Sequence, residues 1–320
     1  MPGVADSNSP AHWWQGKLYL HNSDGMPIRS QGTDLFSLRH ARAVLFYSGE
    51  NTNRWIESTW ADEAGRVWAW YHHEVFLDCG PGIALSAPTI GALVSYDGGW
   101  TYHDLGYVLV SGAAPNCEAK NGYFAGGHGD FTVLPDEAGQ YFYFYFSNYG
   151  GDKANQGVAV ARMRMEDRFE PVGNVWKYHE GEWKQPGLFG EVTPIVPVTT
   201  DWGQAGTDAF WGPSVHFNTA LGKYVMLLNR ACCAPGWPQE GVYVSYNADP
   251  AHPEDWQAPK RILGYGTWYP QIVGLGPLET DKRAGRLSRF FAGGYSEYEL
   301  VFEEADPPAA FGSSAGEHER

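Results

Sequence analysis

Charged residues are scarce in this 320-residue sequence, and basic residues are the scarcest of them. They make up 18% of the chain, below the roughly 25% of an average globular protein. Lys and Arg total 22 against 37 Asp and Glu, which leaves a formal net charge of −15. No cluster of Lys and Arg offsets that charge, so we expect no nucleic-acid partner. No apolar run approaches the ~18 residues that a membrane-spanning helix needs, so we expect no membrane partner either.

Cysteine is also rare, with four residues in the chain. Cys79 and Cys117 could form a disulfide or remain buried thiols, and both alternatives stay open. The adjacent Cys232 and Cys233 lack the spacing of a zinc site, so no metal site is predicted. Residues 1–10 contain neither the basic nor the apolar segment of a secretory leader. The protein is expected to be cytoplasmic, or secreted with its leader absent from this sequence, and the oligomeric state stays open.

Short apolar and aromatic runs fill the rest of the sequence, separated by 40 Gly and 21 Pro. Runs of ~5–8 residues bounded by turn residues are typical of antiparallel strands. A set of three consecutive runs recurs along the chain, with a strongly apolar second run and a Gly at the second position of the third. These sets are 56–61, 67–73 and 90–95; 130–134, 141–149 and 156–161; and 212–217, 224–230 and 240–245.

The order of these runs predicts the blades of a β-propeller, because each set reads as an antiparallel meander. Outer strands are predicted at 100–106, 169–173 and 256–263, a further unit at 268–302, and the remaining strands at 17–21 and 43–47. We therefore predict an all-β fold, a five-bladed β-propeller of four-stranded antiparallel blades. It would be a single domain over residues 1–302, followed by a disordered tail at 303–320. A two-sheet sandwich is the alternative, and it explains the strands but not the repeat.

Polar and aromatic residues gather at one end of the predicted blades. In a meander, the start of the first strand, the end of the second and the start of the third share one rim. The candidate catalytic residues on this rim are the carboxylates Glu57, Asp130, Asp208 and Glu240. The candidate substrate-binding residues are His73, His128, Asn148, Trp211, Arg230, Trp268 and Tyr269. Carboxylates for acid and base chemistry, combined with aromatic faces for sugar C–H surfaces, are the mixture that glycosidases need.

Most of these candidates also have an ordinary structural explanation. Asp130 follows a Gly-Gly-His-Gly run and could cap a turn. Glu57 could face solvent, and Asp208 could be an ordinary loop acid. Arg230 could pair with a neighbouring carboxylate instead of a substrate. The aromatic candidates could belong to the core.

These units resemble the five-bladed β-propeller glycosidase superfamily, which contains arabinanases, β-xylosidases and fructosidases. The resemblance covers about residues 50–302 and consists of the blade pattern. It implies that Asp130, at an inner-strand start, acts as base or nucleophile, and it places Glu57 at the analogous point one blade earlier. The third unit departs from the family pattern, because Trp211 precedes Gly212-Pro213 where the family often has the acid Glu. The acid would then come from Glu240, Asp208 or a histidine on the rim.

A second resemblance is local. Residues 95–102, Ser-Tyr-Asp-Gly-Gly-Trp-Thr-Tyr, look like the Asp-box of sialidases and other propellers. Its Asp97 is expected to stabilise a hairpin by accepting hydrogen bonds from turn amides. A sialidase would also need three arginines around the substrate carboxylate, and Arg54 and Arg230 do not supply that set.

The sequence therefore predicts a glycoside hydrolase that cleaves a polysaccharide or oligosaccharide with a carboxylate pair at the propeller mouth. One alternative is a non-catalytic carbohydrate-binding propeller. Another is a polysaccharide lyase acting on uronates, in which His72 or His73 works with Tyr149 and Arg230 neutralises the uronate. The expected partner is a carbohydrate substrate. No cofactor is predicted, and a structural calcium in the axial channel stays open although no loop has calcium-binding spacing.

Overall fold

Strands form almost all of the regular structure in the computed structural model, which describes residues 4–47, 52–266 and 268–304. They form five sheets that follow one another along the chain, and each is built on an antiparallel meander. This arrangement is the predicted five-bladed β-propeller, and it excludes the sandwich. Most of the tail predicted at 303–320 lies outside the described residues. Among the residues that are described, no helix has both the length and the apolar character needed to cross a membrane.

The blades differ in their number of strands. Blade 1 contains β1 (Ala11–Trp14), β2 (Lys17–Ser23), β3 (Pro27–Gly32) and β4 (Arg39–Ala43). Blade 2 contains β5 (Leu45–Phe46), β6 (Arg54–Ala61), β7 (Val67–His73), β8 (Thr89–Ser95) and β9 (Thr101–Leu109). Blade 3 contains β10 (His128–Pro135), β11 (Tyr141–Asn148), β12 (Gly157–Arg164), β13 (Val175–His179), β14 (Glu182–Pro186) and β15 (Val196–Pro197).

The last two blades follow the same plan. Blade 4 contains β16 (Ala209–Asn218), β17 (Lys223–Ala231), β18 (Gln239–Asn247) and β19 (Lys260–Leu263), and β21 (Arg283–Ala284) pairs in parallel with β16. Blade 5 contains β20 (Gln271–Gly274), β22 (Leu287–Ala292) and β23 (Tyr295–Val301). Short 3-10 turns lie at Leu35–Ser37, Lys153–Asn155, Met165–Phe169 and Pro253–Asp255.

Two of the predicted strand positions also differ in the structure. No strand forms at 169–173, where Pro171 cannot donate a ladder hydrogen bond and Gly173 turns the chain at φ +84°. The fourth strand of blade 3 is β13 instead, and β14 pairs on its outer side. Residues 43–47 do not serve blade 1 alone, because β5 pairs in parallel with β9 of blade 2.

Alternation along β11 explains how the blades stack. Its sequence is YFYFYFSN, and successive side chains of a strand point to opposite faces. Phe142 and Phe144 lie in the core shared with blade 2, where they pack with Trp70. The intervening Tyr143 and Tyr145 face blade 4 and share a core with Met226. Because both faces are covered, each of these rings is buried, and burying a side chain of this size contributes about 1.5–3 kcal/mol.

Residues 5–8 link several blades at the centre of the ring. The amide of Ala5 donates to the carbonyl of Gly293 in blade 5, and the amide of Asp6 donates to that of Ser23 in blade 1. The buried side-chain amide of Asn8 donates to the carbonyls of Phe131 (2.9 Å) and Pro213 (3.1 Å) on the inner strands of blades 3 and 4. The sequence analysis considered these residues only as a possible secretory leader, and the structure places them at the centre of the ring.

Both cysteine pairs are disulfide-bonded. Cys79 and Cys117, whose state stayed open at the sequence level, are joined across a separation of 38 residues. The adjacent Cys232 and Cys233 are also bonded to each other.

Candidate functional site

Five acidic and imidazole groups gather where the inner strands meet, and we call them the axial cluster. They are Asp6, Glu57, His72, Glu74 and Asp130. His72 lies in the middle, with Nδ1 3.0 Å from Glu57 Oε1 and 3.9 Å from Asp130 Oδ1, and Nε2 3.9 Å from Glu74 Oε1. Glu57 is fully buried and accepts a hydrogen bond from the amide of Phe131 at 3.1 Å. The repeat therefore brought Glu57 and Asp130 together, as the sequence predicted.

The backbone at Asp130 is shaped to direct its side chain inward. Asp130 has φ +44°, in the left-handed region, at a break in the pairing of β10 with β11 between Gly129 and Phe131. A Cβ on Gly129 would lie 2.7 Å from His72 Cε1, so glycine is required at that position. Non-glycine residues held at such φ values cost about 1–3 kcal/mol, and such residues cluster at functional sites.

Two tyrosine hydroxyls cover the carboxylate of Asp130. Tyr269, at φ +59°, donates to Oδ1 at 2.8 Å, and Tyr149 donates to Oδ2. Asp130 is 2% exposed, so neither oxygen faces the solvent. Tyr269, predicted to bind substrate, instead binds Asp130 in this structure.

Burial changes the protonation of the four carboxyl groups in the cluster. Desolvation raises the pKa of Asp130 to about 6 and that of Glu57 well above its usual range. Desolvation also raises the pKa of Glu74, and burial together with the negative charge of Asp24 raises that of Asp6. A protonated Glu57 can donate to His72 Nδ1, which would leave the imidazole proton on Nε2, facing Glu74. The cluster thus retains protons at a pH where exposed carboxylates have lost them.

Asp6 also reaches the surface, in a depression that we call the mouth cavity. It has a volume of about 620 Å³ and is lined by Asp6 and Asp24 together with Trp237, Trp268 and Tyr295. Asp6 is half-buried and Asp24 is exposed. Sequence reasoning missed Asp6, Asp24, Trp237 and Tyr295, because none of them lies in one of the repeated runs. Trp268 was predicted to bind substrate and does line this cavity.

Trp211 occupies the position where the family that the sequence resembles often has its acid. It is buried and packs at ring-centroid distances of 5.4 Å against Trp237, Trp268 and Tyr269. The next residue, Gly212, has φ +59° and donates its amide to Ser147 Oγ. We call these four rings, Trp211, Trp237, Trp268 and Tyr269, the aromatic wall. One of its rings therefore lies where the family that the sequence resembles often has a carboxylate.

Asp208, Arg230 and Glu240 form a separate ion-pair network on blade 4. Arg230 donates to Asp208 Oδ1 at 3.0 Å and to Glu240 Oε2 at 2.8 Å, and the Tyr243 hydroxyl donates to Glu240 at 2.7 Å. Arg230 pairs with Phe210 across the strands, whereas Trp211 is the next residue and points to the opposite face. Phe210 and Tyr243 pack toward blade 3. The structure therefore places these three candidates on a different blade face from the aromatic wall.

The remaining candidates lie on blades 2 and 3. His73 Nδ1 lies 2.5 Å from the Tyr107 hydroxyl. His128 and Asn148 line a polar cleft of about 320 Å³, together with Ser111 and Phe189. Burial holds the pKa of His128 well below its usual range, so its imidazole is neutral. These residues are on the predicted rim but outside the mouth cavity.

Three groups of the axial cluster lie close enough together to be compared with a calcium site. Ligand atoms of Glu57, His72 and Asp130 lie within 4.8 Å of one another. Calcium prefers six to eight oxygen ligands. Here one of the three ligands is an imidazole nitrogen, and both oxygens of Asp130 already accept tyrosine hydrogen bonds. This set does not fit calcium, and we derive no chemistry through a metal.

Comparison with known proteins identifies the fold. No protein-family model matches the sequence, and no curated protein matches it. An endo-arabinase from Bacteroides thetaiotaomicron VPI-5482 is 11% identical with a TM-score of 0.56, over 95% of this chain and 96% of that one. A provisionally assigned exo-β-1,3-galactanase from Bifidobacterium bifidum S17 is 14% identical with a TM-score of 0.55, over 94% and 88%. The catalytic domain of a family-62 α-L-arabinofuranosidase from Coprinopsis cinerea is 9% identical with a TM-score of 0.52, over 96% and 87%. The chain therefore has the five-bladed β-propeller fold of these glycoside hydrolases, as the blade pattern had implied.

Proposed function

We propose that this protein is a glycoside hydrolase whose substrate binds in the mouth cavity. The observation that carries the proposal is the pairing of two carboxyl groups, Asp6 and Asp24, with the rings of Trp237, Trp268 and Tyr295 in one cavity. Aromatic rings stack on the C–H faces of sugars, and two carboxyl groups of different protonation can act as acid and base. The fold shared with glycoside hydrolases supports the same proposal.

The environments of the two carboxyl groups suggest their roles. Asp6 is half-buried with a raised pKa, so it is suited to hold a proton and give it to the leaving oxygen. Asp24 is exposed to solvent, so it is placed to take a proton from water. Water would then add to the anomeric carbon, the bond to the leaving oxygen would break, Asp6 would protonate that oxygen and Asp24 would accept the proton of water.

Asp130 does not line the mouth cavity, and we propose that it acts on the residues that do. Both of its carboxylate oxygens accept hydrogen bonds from Tyr149 and Tyr269, so in this structure Asp130 influences the reacting groups only through neighbouring side chains. Asp130 and Asp6 both lie close enough to His72 and Glu74 for their charges to interact. Its role as the base or nucleophile itself remains a prediction from the family resemblance.

Hydrolysis is tested directly on polysaccharides. We expect the protein to release reducing ends from arabinan or β-1,3-galactan, the polymers that the names of its structural neighbours indicate. Heat-denatured protein is the control. Binding of these polymers in calorimetry with no release of reducing ends would contradict the proposal.

That contradictory result would favour the second candidate, a non-catalytic carbohydrate-binding propeller. The observation in its favour is Trp211, which is buried among aromatic rings where the family often has the acid Glu. The lyase has less support, because Arg230 is already paired with both Asp208 and Glu240. A lyase would produce an unsaturated uronate that absorbs ultraviolet light, which separates it from both other candidates.

Tyr295 provides a test of substrate binding in the mouth cavity. Its ring lines the cavity and is 58% exposed, whereas Tyr298 on the same strand β23 bonds the Tyr265 hydroxyl outside it. We expect Tyr295→Ala to raise KM about fivefold with little change in kcat, since loss of one sugar-stacking ring costs about 1 kcal/mol. Tyr298→Ala is the matched control and should leave KM unchanged. Equal effects of the two substitutions on initial-rate kinetics would remove Tyr295 from the site.

A further inference from the structure

A second cavity lies between blades 1 and 2, on the side of the Asp-box. It has a volume of about 350 Å³ and is lined by Arg29, Gln31, His40, Arg42 and Trp100, and we call it the arginine pocket. Strand β8 leaves the mouth rim at Thr89 and ends at Ser95, where the Asp-box turn begins. The arginine pocket is therefore reached from a different part of the ring than the mouth cavity.

Two guanidinium groups converge on one indole ring in this pocket. The Cζ atoms of Arg29 and Arg42 lie 5.2 and 5.3 Å from the centroid of the Trp100 ring. Each cation is attracted to the ring, but the two repel each other. The positive charge of Arg42 accordingly contributes to lowering the pKa of Arg29, after the larger effect of burial.

No carboxylate neutralises this pair in the described part of the chain. Neither Arg29 nor Arg42 forms a salt bridge there, in a protein with a net charge of −15. The negative charge of Asp97 in the Asp-box acts on Arg29 and favours its charged form. Its Oδ1 accepts from the amides of Trp100 and Thr101, and its Oδ2 accepts from the Thr101 hydroxyl. Asp97 therefore holds the turn, as its motif predicted, and its carboxylate forms no salt bridge with either arginine in the described part of the chain.

The arginines are also arranged for binding. Arg29 is largely buried, lies over the ring of Tyr19 at 4.7 Å and donates to the carbonyl of Gly98 at 2.6 Å, so one cation is held in place. Arg42 is exposed on the outer strand β4 and can approach a ligand from the solvent side. Guanidinium groups bind carboxylates through paired, charge-assisted hydrogen bonds.

We propose that the arginine pocket binds the carboxylate of a uronic acid residue in an acidic saccharide. The two guanidinium groups supply the charge, the Gln31 amide can bond a hydroxyl, and the volume suits a single sugar ring better than an extended chain. The choice of a saccharide rests on the proposed function, whereas the requirement for an anion rests on the charges alone. This site would hold acidic chains on the protein without taking part in bond cleavage.

Trigalacturonate and its fully methyl-esterified form are the matched probes, because they share one sugar chain and the ester removes the charge of every carboxylate. Calorimetry should show trigalacturonate binding that weakens between 50 and 200 mM salt, and the ester should bind at least about tenfold more weakly. Arg42→Gln should weaken trigalacturonate binding about tenfold or more, since a hydrogen bond between charged groups is lost. Arg164→Gln is the control, because Arg164 is an exposed arginine on blade 3. It should leave this affinity unchanged.

Three results would overturn the proposal. They are equal affinity for the acid and its ester, unchanged affinity in Arg42→Gln, and equally tight binding of hexaglutamate, which would indicate a surface that attracts any polyanion. Tyr295→Ala alters the mouth cavity and should leave trigalacturonate binding at the arginine pocket intact. Failure of this proposal and failure of the proposed hydrolysis are therefore distinguishable.

Discussion

Replacement of Asp6 by Asn is expected to lower kcat/KM by about 100- to 10,000-fold on a polysaccharide that the protein cleaves. A general acid positioned at the leaving oxygen contributes about 10²–10⁴ in rate, and Asn cannot supply the proton. The substitution preserves size, and the backbone amide of residue 6 can still donate to the carbonyl of Ser23. The measurement is the initial rate of reducing-end release, with the folded state of the variant checked by thermal unfolding.

The effect of the leaving group on the rate of Asp6→Asn distinguishes a general acid from a general base. If Asp6 protonates the leaving oxygen, Asp6→Asn should be far less impaired on an aryl glycoside whose phenol leaves without a proton than on the natural saccharide. The same variant should lose the alkaline limb of the pH–rate profile, because that limb reports deprotonation of the acid. Asp249→Asn, on an exposed turn of blade 4, should keep the wild-type rate. An Asp6→Asn rate within tenfold of wild type on the natural saccharide would exclude Asp6 as the acid.

The fold could be predicted because each blade repeats a local pattern. The alternation in β11 places phenylalanine and tyrosine on opposite faces, and both faces are buried. A strand that is apolar on both faces indicates a packed blade on each side. The repeated runs also placed Glu57 and Asp130 at the hub. The strand missed at 175–179 shows the limit of this reasoning, since a turn at Pro171 and Gly173 shifts it along the chain.

The candidate site was harder to predict because it depends on contacts between distant residues. Asn8 bonds residues that are 123 and 205 positions away, and no local pattern marks the segment that carries Asp6. Strand order placed Glu240 and Trp211 on the same rim, but strand order does not say which face of blade 4 each side chain occupies. Trp211 faces the aromatic wall, whereas Glu240 joins the ion pairs of Arg230.

Protein stability should fall as pH rises, and Asp130 is expected to be one of the main causes. The pKa of its carboxyl is raised from 3.8 to about 6 by burial in the folded state. Between these pH values the unfolded chain has released a proton that the folded protein still holds, so the free energy of unfolding decreases with pH and levels off above about 6. A difference of roughly two pH units corresponds to about 3 kcal/mol. Asp130→Asn lacks this proton, so its stability relative to wild type should improve by about that amount between pH 4 and 7 in urea unfolding.

The comparison with the variant isolates Asp130 from the other carboxyl groups. Hydrogen bonds lower the pKa of Asp62 and Asp97, which makes both wild type and variant less stable in strong acid. That effect cancels in the difference, and Asp249→Asn should follow the wild-type curve throughout. Tyr269→Phe is a second test of the Asp130 pKa, because loss of the tyrosine hydroxyl removes a hydrogen bond that lowers this pKa. The decline in stability should then extend to higher pH. If the Asp130→Asn and wild-type curves stay parallel from pH 4 to 7, the folded state does not hold the proton that the axial cluster requires.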